Sequence, residues 1–325
     1  VATGMAVASL AVGAYSIFKI KKENKPENIP VMGVMGAFVF ATQMVNFTIP
    51  GTGSSGHLCG GLLLSALIGP YGGFLSMMAI LLLQCLLFAD GGLMAYGCNV
   101  WNMAFYACFF GYFCIYKPIL GKNPSKKKIL IASILGSVLS LQLGAFSVTL
   151  ETLISGVTEL PFLTFLSFMQ PIHLAIGFVE GLITSAVLIF VYNTRPEMLN
   201  LNEKSNEFSF KKVIAILSIV TVLIGGGISL LASSSPDGLE WSMENVAGST
   251  ELDSKGSAYD KASEIQEKTT LLPDYSISNS NNEILGTSFS GVLGSVLVAV
   301  ILIGGSLIFR FYKKGAKNEQ IRKSA

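Results

Sequence analysis

The sequence predicts an all-α, polytopic membrane protein: a bundle of seven helices followed by two further transmembrane helices. Three observations predict it. Hydrophobic residues make up 51% of the 325 and charged residues only 13%, about half the ~25% usual for a soluble domain. So little charge does not cover a water-facing surface of this size. The apolar residues gather in runs near the roughly 20 that a helix needs to cross a hydrocarbon layer about 30 Å thick. Finally, nearly all Lys and Arg fall in four clusters separated by even numbers of those runs.

The runs lie near 1–20, 31–50, 57–69, 71–89, 98–118, 128–150, 168–193, 212–232 and 285–312. The third is short and is divided from the fourth by Gly69-Pro70. It reads either as a crossing helix or as a re-entrant segment, since irregular backbone survives at membrane depth only where protein buries it. The basic clusters decide. They are Lys19, Lys21, Lys22 and Lys25 after the first run; Lys117, Lys122 and Lys126 to Lys128 after the fifth; Arg195, Lys204, Lys211 and Lys212 after the seventh; and Arg310 to Lys323 after the ninth. All four share one side only if all nine runs cross. The positive-inside bias then sets the N-terminus outside and the C-terminus in the cytoplasm of a prokaryotic cell.

Two units follow. Residues 1–193 form the seven-helix unit, joined by a polar cytoplasmic linker, 194–211, to a second unit, 212–325. The second has two transmembrane helices and, between them, a Ser/Asn/Asp/Glu-rich outer segment, 233–284, expected to drape on the membrane domain or to be partly disordered. The five cysteines show no CxxC spacing and read as small buried hydrophobes. No phosphate-binding Gly-rich loop ending in Lys-Ser/Thr occurs, so any ATP energy comes from a partner. No fixed-period repeat appears, and neither a nucleic-acid partner nor an organic cofactor is expected.

The chain has only two histidines. His57 follows the small, flexible run Gly51-Thr52-Gly53-Ser54-Ser55-Gly56 at the outer mouth of the third run. It presents an imidazole to a metal or polar solute, or it hydrogen-bonds a carbonyl and holds the loop. His173 and Glu180 lie seven apart on one face of the seventh run. A mid-membrane carboxyl normally faces a bundle interior, so the pair reads as a proton or cation relay, or as a structural polar clamp. Asn46, Gln84, Asp90 and Asn99 line an outer vestibule or support it, with helix capping as the plainer role for Asp90 and Asn99. Asp237 and Glu240, three apart, fit a capping box, or attract a cation, beside the amphipathic ring of Trp241. A different class of function, an intramembrane hydrolase, would use Ser54 or Ser55 with His173 as base.

The runs "GTGSSGHLCGGLLLSALIGPYGG", "LLLQCLLFADGGLMAYGCNVWNM" and "IHLAIGFVEGLITSAVL" resemble the CbiM/NikM family, and "SSPDGLEWSMENV" resembles the fused accessory PDGLE domain. The resemblance spans the chain. It implies the substrate-binding membrane subunit of an energy-coupling-factor importer for Ni(2+) or Co(2+), working with a transmembrane coupling (T) subunit and two cytoplasmic ATPases. It also implies a metal site: the amine, second backbone nitrogen and imidazole of an N-terminal Met-His, completed by a loop histidine that His57 matches. A near-planar nitrogen set suits Ni(2+), and Ser-Ser-Gly-His-Leu looks more like the nickel branch. His173, by contrast, is expected not to bind metal. The Met-His pair is not among these residues, so the chain from Val1 is expected to bind metal weakly.

Overall fold

The computed structural model describes residues 1–23, 28–199, 209–250, 252, 256–277 and 283–324. Lys25, Lys204 and half of the linker 194–211 lie outside them, as do the side chains of the last basic cluster. The architecture is α-helical throughout, apart from one two-stranded hairpin. Seven described helices are long and apolar enough to cross a membrane: Ala2–Lys22, Pro70–Phe88, Leu93–Leu120, Lys126–Ser155, Phe162–Thr194, Phe210–Leu231 and Leu285–Ile308.

The remaining two expected runs are shorter helices. Residues 31–50 give a helix only at Asn28–Gln43, and the chain then turns into the strands Phe47–Ile49 and Ser54–Gly56, paired antiparallel with Thr48 opposite Ser55. Residues 57–69 give Gly61–Ile68, all eight residues buried. At 1.5 Å per residue this helix is about 12 Å long, well under half the hydrocarbon thickness. Gly60 (φ 84°) and Gly69 (φ 83°, ψ 159°) bound it, both in backbone conformations that only glycine adopts cheaply. Pro70 then opens the next helix at a position where its missing N–H costs nothing. The short helix packs against the turn Pro196–Leu199, just past the end of Phe162–Thr194, so the irregular stretch 57–60 and the helix together run deep into the bundle.

Helices Lys126–Ser155 and Phe162–Thr194 form a long antiparallel hairpin around a turn at Gly156, whose φ of 74° ends the first of them. Leu93–Leu120 packs beside it. The last two membrane helices close against Asn28–Gln43, and a side chain added at Gly291 would lie 2.0 Å from the Gly225 carbonyl oxygen. Small residues allow that close approach, which is how membrane helices gain packing without a hydrophobic driving force between them. One end of the bundle carries the basic residues from Lys117 to Lys128 and Arg195. The hairpin, His57 and the described segments 233–250 and 256–277 sit at the other end.

Candidate metal-binding site

His57 stands between the hairpin and the buried short helix, its side chain 28% exposed. The loop is held from two sides. Glu180, fully buried mid-helix, accepts the backbone N–H groups of Cys59 and Gly60, each at 3.1 Å. Gln43 donates from Nε2 to the Cys59 carbonyl at 2.8 Å. These bonds satisfy backbone groups that a buried irregular loop otherwise leaves unmade, at about 1–3 kcal/mol each.

His57 lines a cavity of about 140 Å³ together with His173, Asn99, Asn102, Met103, Met169 and Asp237. The two imidazoles are oriented alike. Nδ1 of His57 lies 3.2 Å from the Leu58 carbonyl and Nδ1 of His173 lies 2.8 Å from that of Met169. A carbonyl only accepts, so Nδ1 carries the proton in each ring, and Nε2 of the neutral ring keeps its lone pair. Such a backbone bond to the far nitrogen is what orients metal-ligating histidines. Asp237 Oδ2 lies 3.8 Å from His57 Nε2.

The segment 233–241 roofs the cavity. Ser233 N–H donates to the Asn46 carbonyl at 2.7 Å, and Ser55 N–H to that of Pro236 at 2.8 Å. Ser55 Oγ donates to the Ser235 carbonyl at 2.8 Å, and Trp241 Nε1 to that of Thr52 at 3.0 Å. The Trp241 ring meets Phe168 edge-on, with centroids 5.5 Å apart. A Cβ at Gly238 would stand 2.8 Å from Ile176 Cδ1 and 3.1 Å from His173 Cε1, so only glycine lets the roof sit this low. Asp237 Oδ1 accepts from the N–H groups of Leu239 and Glu240, and Glu240 Oε2 from that of Asp237: a complete capping box for helix Gly238–Ala247.

The candidate residues therefore divide. His57, His173 and Asn99 share the cavity, and Asn46 holds its roof through its backbone carbonyl. Gln84 and Asp90 are elsewhere: Tyr275 O–H donates to Asp90 Oδ2, and Gln84 Nε2 to the Tyr275 oxygen at 3.4 Å. Burial and the neighbouring Asp90 carboxylate hold the Tyr275 phenol well above its ordinary pKa. Neither Asp90 nor Asn99 caps a helix end; Asn99 is the last residue of Tyr96–Asn99, whose helix continues beyond it. Ser54 and Ser55 turn their hydroxyls to backbone carbonyls at residues 55, 235 and 236, and neither bonds His173. Among the described residues no three His, Cys, Asp or Glu side chains converge as a metal cluster. Asn102 and Glu151 were not singled out in the sequence. Asn102 lines the cavity and donates from Nδ2 to Glu151 Oε2 at 2.9 Å.

Residues 1–198 match the family model for the CbiM cobalt uptake substrate-specific transmembrane region, and residues 211–311 match that for the PDGLE domain. The chain belongs to the CbiM family. It is 32% identical over 295 residues to the putative fused nickel transport protein NikMN of Archaeoglobus fulgidus, covering 91% of this chain and 90% of that one. The probable fused nickel transport protein LarMN of Lactiplantibacillus plantarum is 32% identical over 254 residues, 75% of each chain. A solved structure described as a truncated transition metal transporter aligns with a TM-score of 0.51 at 30% identity, over 58% of this chain and 92% of that one. This CbiM-type chain is thus a multi-pass membrane protein of metal transport, a transport subunit and not an enzyme.

Proposed function

We propose that the chain is the substrate-binding subunit of an ATP-driven energy-coupling-factor importer for a divalent transition metal, nickel in preference to cobalt. The observation that carries this reading is His57 itself: an imidazole fixed through Nδ1, with Nε2 toward a roofed cavity and two backbone bonds from Glu180 holding its loop. His57 supplies one nitrogen, and the Met-His terminus of the family pattern supplies three more in a near-planar set. Such a field suits Ni(2+) and binds Cu(2+) more tightly still, so selectivity rests on geometry and metal supply. Nickel is supported by the two fused relatives, both named as nickel transport proteins.

In this reading residues 1–193 bind the metal, 194–211 form a cytoplasmic linker, and 212–325 form the accessory unit whose segment 233–284 lies outside. The basic end faces the cytoplasm, in keeping with the positive-inside bias. There it meets the T subunit and the two ATPases, which supply the energy, the N-terminus being outside and the C-terminus inside a prokaryotic plasma membrane.

The test uses protein carrying the Met-His terminus, titrated calorimetrically with Ni(2+) and Co(2+). Loss of one of four nitrogens in His57→Ala should weaken Ni(2+) binding by more than the 10–100-fold typical of losing an outer-shell partner. His173→Ala should bind nearly as wild type. Equal affinity of the two variants would overturn the assignment.

A further inference from the structure

The accessory unit grips the membrane unit at a second place, apart from the roof of the cavity. Gln266, on helix Ser257–Thr269, bonds the connection between helices Pro70–Phe88 and Leu93–Leu120. Its Nε2 donates to the carbonyls of Cys85 and Gly91, at 3.1 and 2.9 Å, and its Oε1 accepts the Leu93 N–H at 3.2 Å. Just past the end of its helix, the N–H groups of Leu271 and Leu272 both donate to the Leu87 carbonyl. Backbone groups at 85, 87, 91 and 93 thus find partners on one short segment of the other unit. Among them Ala89 holds φ 58°, a conformation that a residue with a Cβ keeps only where its surroundings fix it.

The gripped connection backs a wall of the cavity. Gly91, at φ 80°, lies against the Asn99 side chain: a Cβ there would stand 2.9 Å from Asn99 Nδ2. Asn99 lines the cavity together with His57. The same stretch seats the first helix, since Ser9 Oγ donates to the Gly97 carbonyl at 2.8 Å. Direct contacts therefore run from Gln266 to Gly91, from Gly91 to Asn99, and from Asn99 to the cavity.

We propose that Gln266 is a positioning residue for metal binding: by stapling residues 85–93 it fixes where Asn99 stands in the cavity, so the accessory unit sets metal affinity from outside it. The inference rests on the reading of the cavity as the metal site. A carboxamide both donates and accepts, so Asn99 orients the groups around the metal from the wall, the part that outer partners play for metal ligands. The two Nε2 donors carry the effect, because they hold the carbonyl of the residue that touches Asn99.

The experiment is a calorimetric titration with Ni(2+) of the full chain carrying the Met-His terminus. Gln266→Ala should weaken binding about fivefold, the low end of coupling between linked sites. Gln266→Glu keeps the size and the acceptor for Leu93 but sets a carboxylate against two carbonyls, so it should weaken binding at least as much, whereas a residue that only fills space would be rescued by it. In an Asn99→Ala background the further change on Gln266→Ala should stay within about twofold, the scatter of such comparisons. Tyr275→Phe loosens the same segment at Asp90 and Gln84 without touching Gly91, and should bind as wild type. Wild-type affinity of Gln266→Ala, rescue by Gln266→Glu, a full loss that persists in Asn99→Ala, or an equal loss in Tyr275→Phe overturns the proposal. If His57→Ala binds as tightly as wild type, the reading of the cavity falls and this proposal with it, an outcome distinct from a silent Gln266→Ala beside a weakened His57→Ala.

Discussion

Replacing Glu180 by Ala should loosen the loop that carries His57 without removing any group from the cavity wall. Glu180 is fully buried and accepts two backbone N–H groups, of Cys59 and Gly60, both at 3.1 Å. The alanine leaves both donors buried with no acceptor, at about 1–3 kcal/mol each, and opens a cavity where the carboxyethyl group packed. A loss of roughly 3–6 kcal/mol follows, a large share of the ~5–15 kcal/mol that holds a typical domain. Glu180→Gln keeps one oxygen for one N–H but turns an NH₂ toward the other, so it should fall between, at about 1–3 kcal/mol. The assay is hydrogen exchange of the metal-free protein in detergent, with a thermal midpoint measured alongside. Amides 59 to 61 should lose protection in Glu180→Ala while those of helix Pro70–Phe88 keep theirs, the sign of local opening. Wild-type protection at Cys59 and Gly60 would refute the reasoning, because the carboxyl would then not be their partner.

Gly238→Val should lift the roof, since a Cβ there meets Ile176 at 2.8 Å and His173 at 3.1 Å; overpacking of this kind costs about 1–3 kcal/mol, and limited proteolysis should cut 233–247 faster. Trp241→Phe removes only the Nε1 bond to Thr52 and keeps a ring against Phe168, so about 1 kcal/mol and a small rise in the same proteolysis are expected. Tyr275→Phe deletes the hydroxyl that bridges Asp90 and Gln84 and should lower the thermal midpoint by an amount equivalent to ~1 kcal/mol, with Ni(2+) binding unchanged because none of the three lines the cavity.

What was legible in the sequence follows the range of the interaction that carries it. Hydropathy marks the long membrane helices because each satisfies its own backbone. The capping box was legible too, since Asp237 and Glu240 are three residues apart. The run 57–69 was legible only as short: Gly60 and Gly69 bracket an eight-residue helix, and nothing local says that 57–60 is held by a carboxyl 120 residues away. Glu180 announced that it needed partners, because a bare carboxyl at mid-membrane is too costly, but not which backbone groups would supply them. Asn102 sits in an aromatic run and Glu151 in the last turns of a helix, where each passes for ordinary. Only the packing of two helices joins them.

The same packing changes what the PDGLE segment means. A capping box looks like a purely structural device, and a carboxylate near a metal-binding histidine looks like a functional one. Asp237 is placed for both, because its two oxygens face different ways: Oδ1 takes the N–H groups of Leu239 and Glu240, and Oδ2 lies 3.8 Å from His57 Nε2. An Asp237→Asn variant and an Asp237→Ala variant therefore separate the two uses. The first keeps one oxygen for the cap, as asparagine caps about as well as aspartate, and loses the charge toward His57. The second loses the cap as well, at about 1 kcal/mol. If Asp237 matters to metal only by holding the roof in place, Asn at 237 should bind Ni(2+) as wild type does and only Ala should release the roof to protease. If its charge draws the cation toward His57, both should slow Ni(2+) loading alike, most at low salt, where a screening length of about 30 Å at 0.01 M leaves the carboxylate's field nearly intact across the mouth. Wild-type loading by both variants would leave Asp237 a helix cap and nothing more.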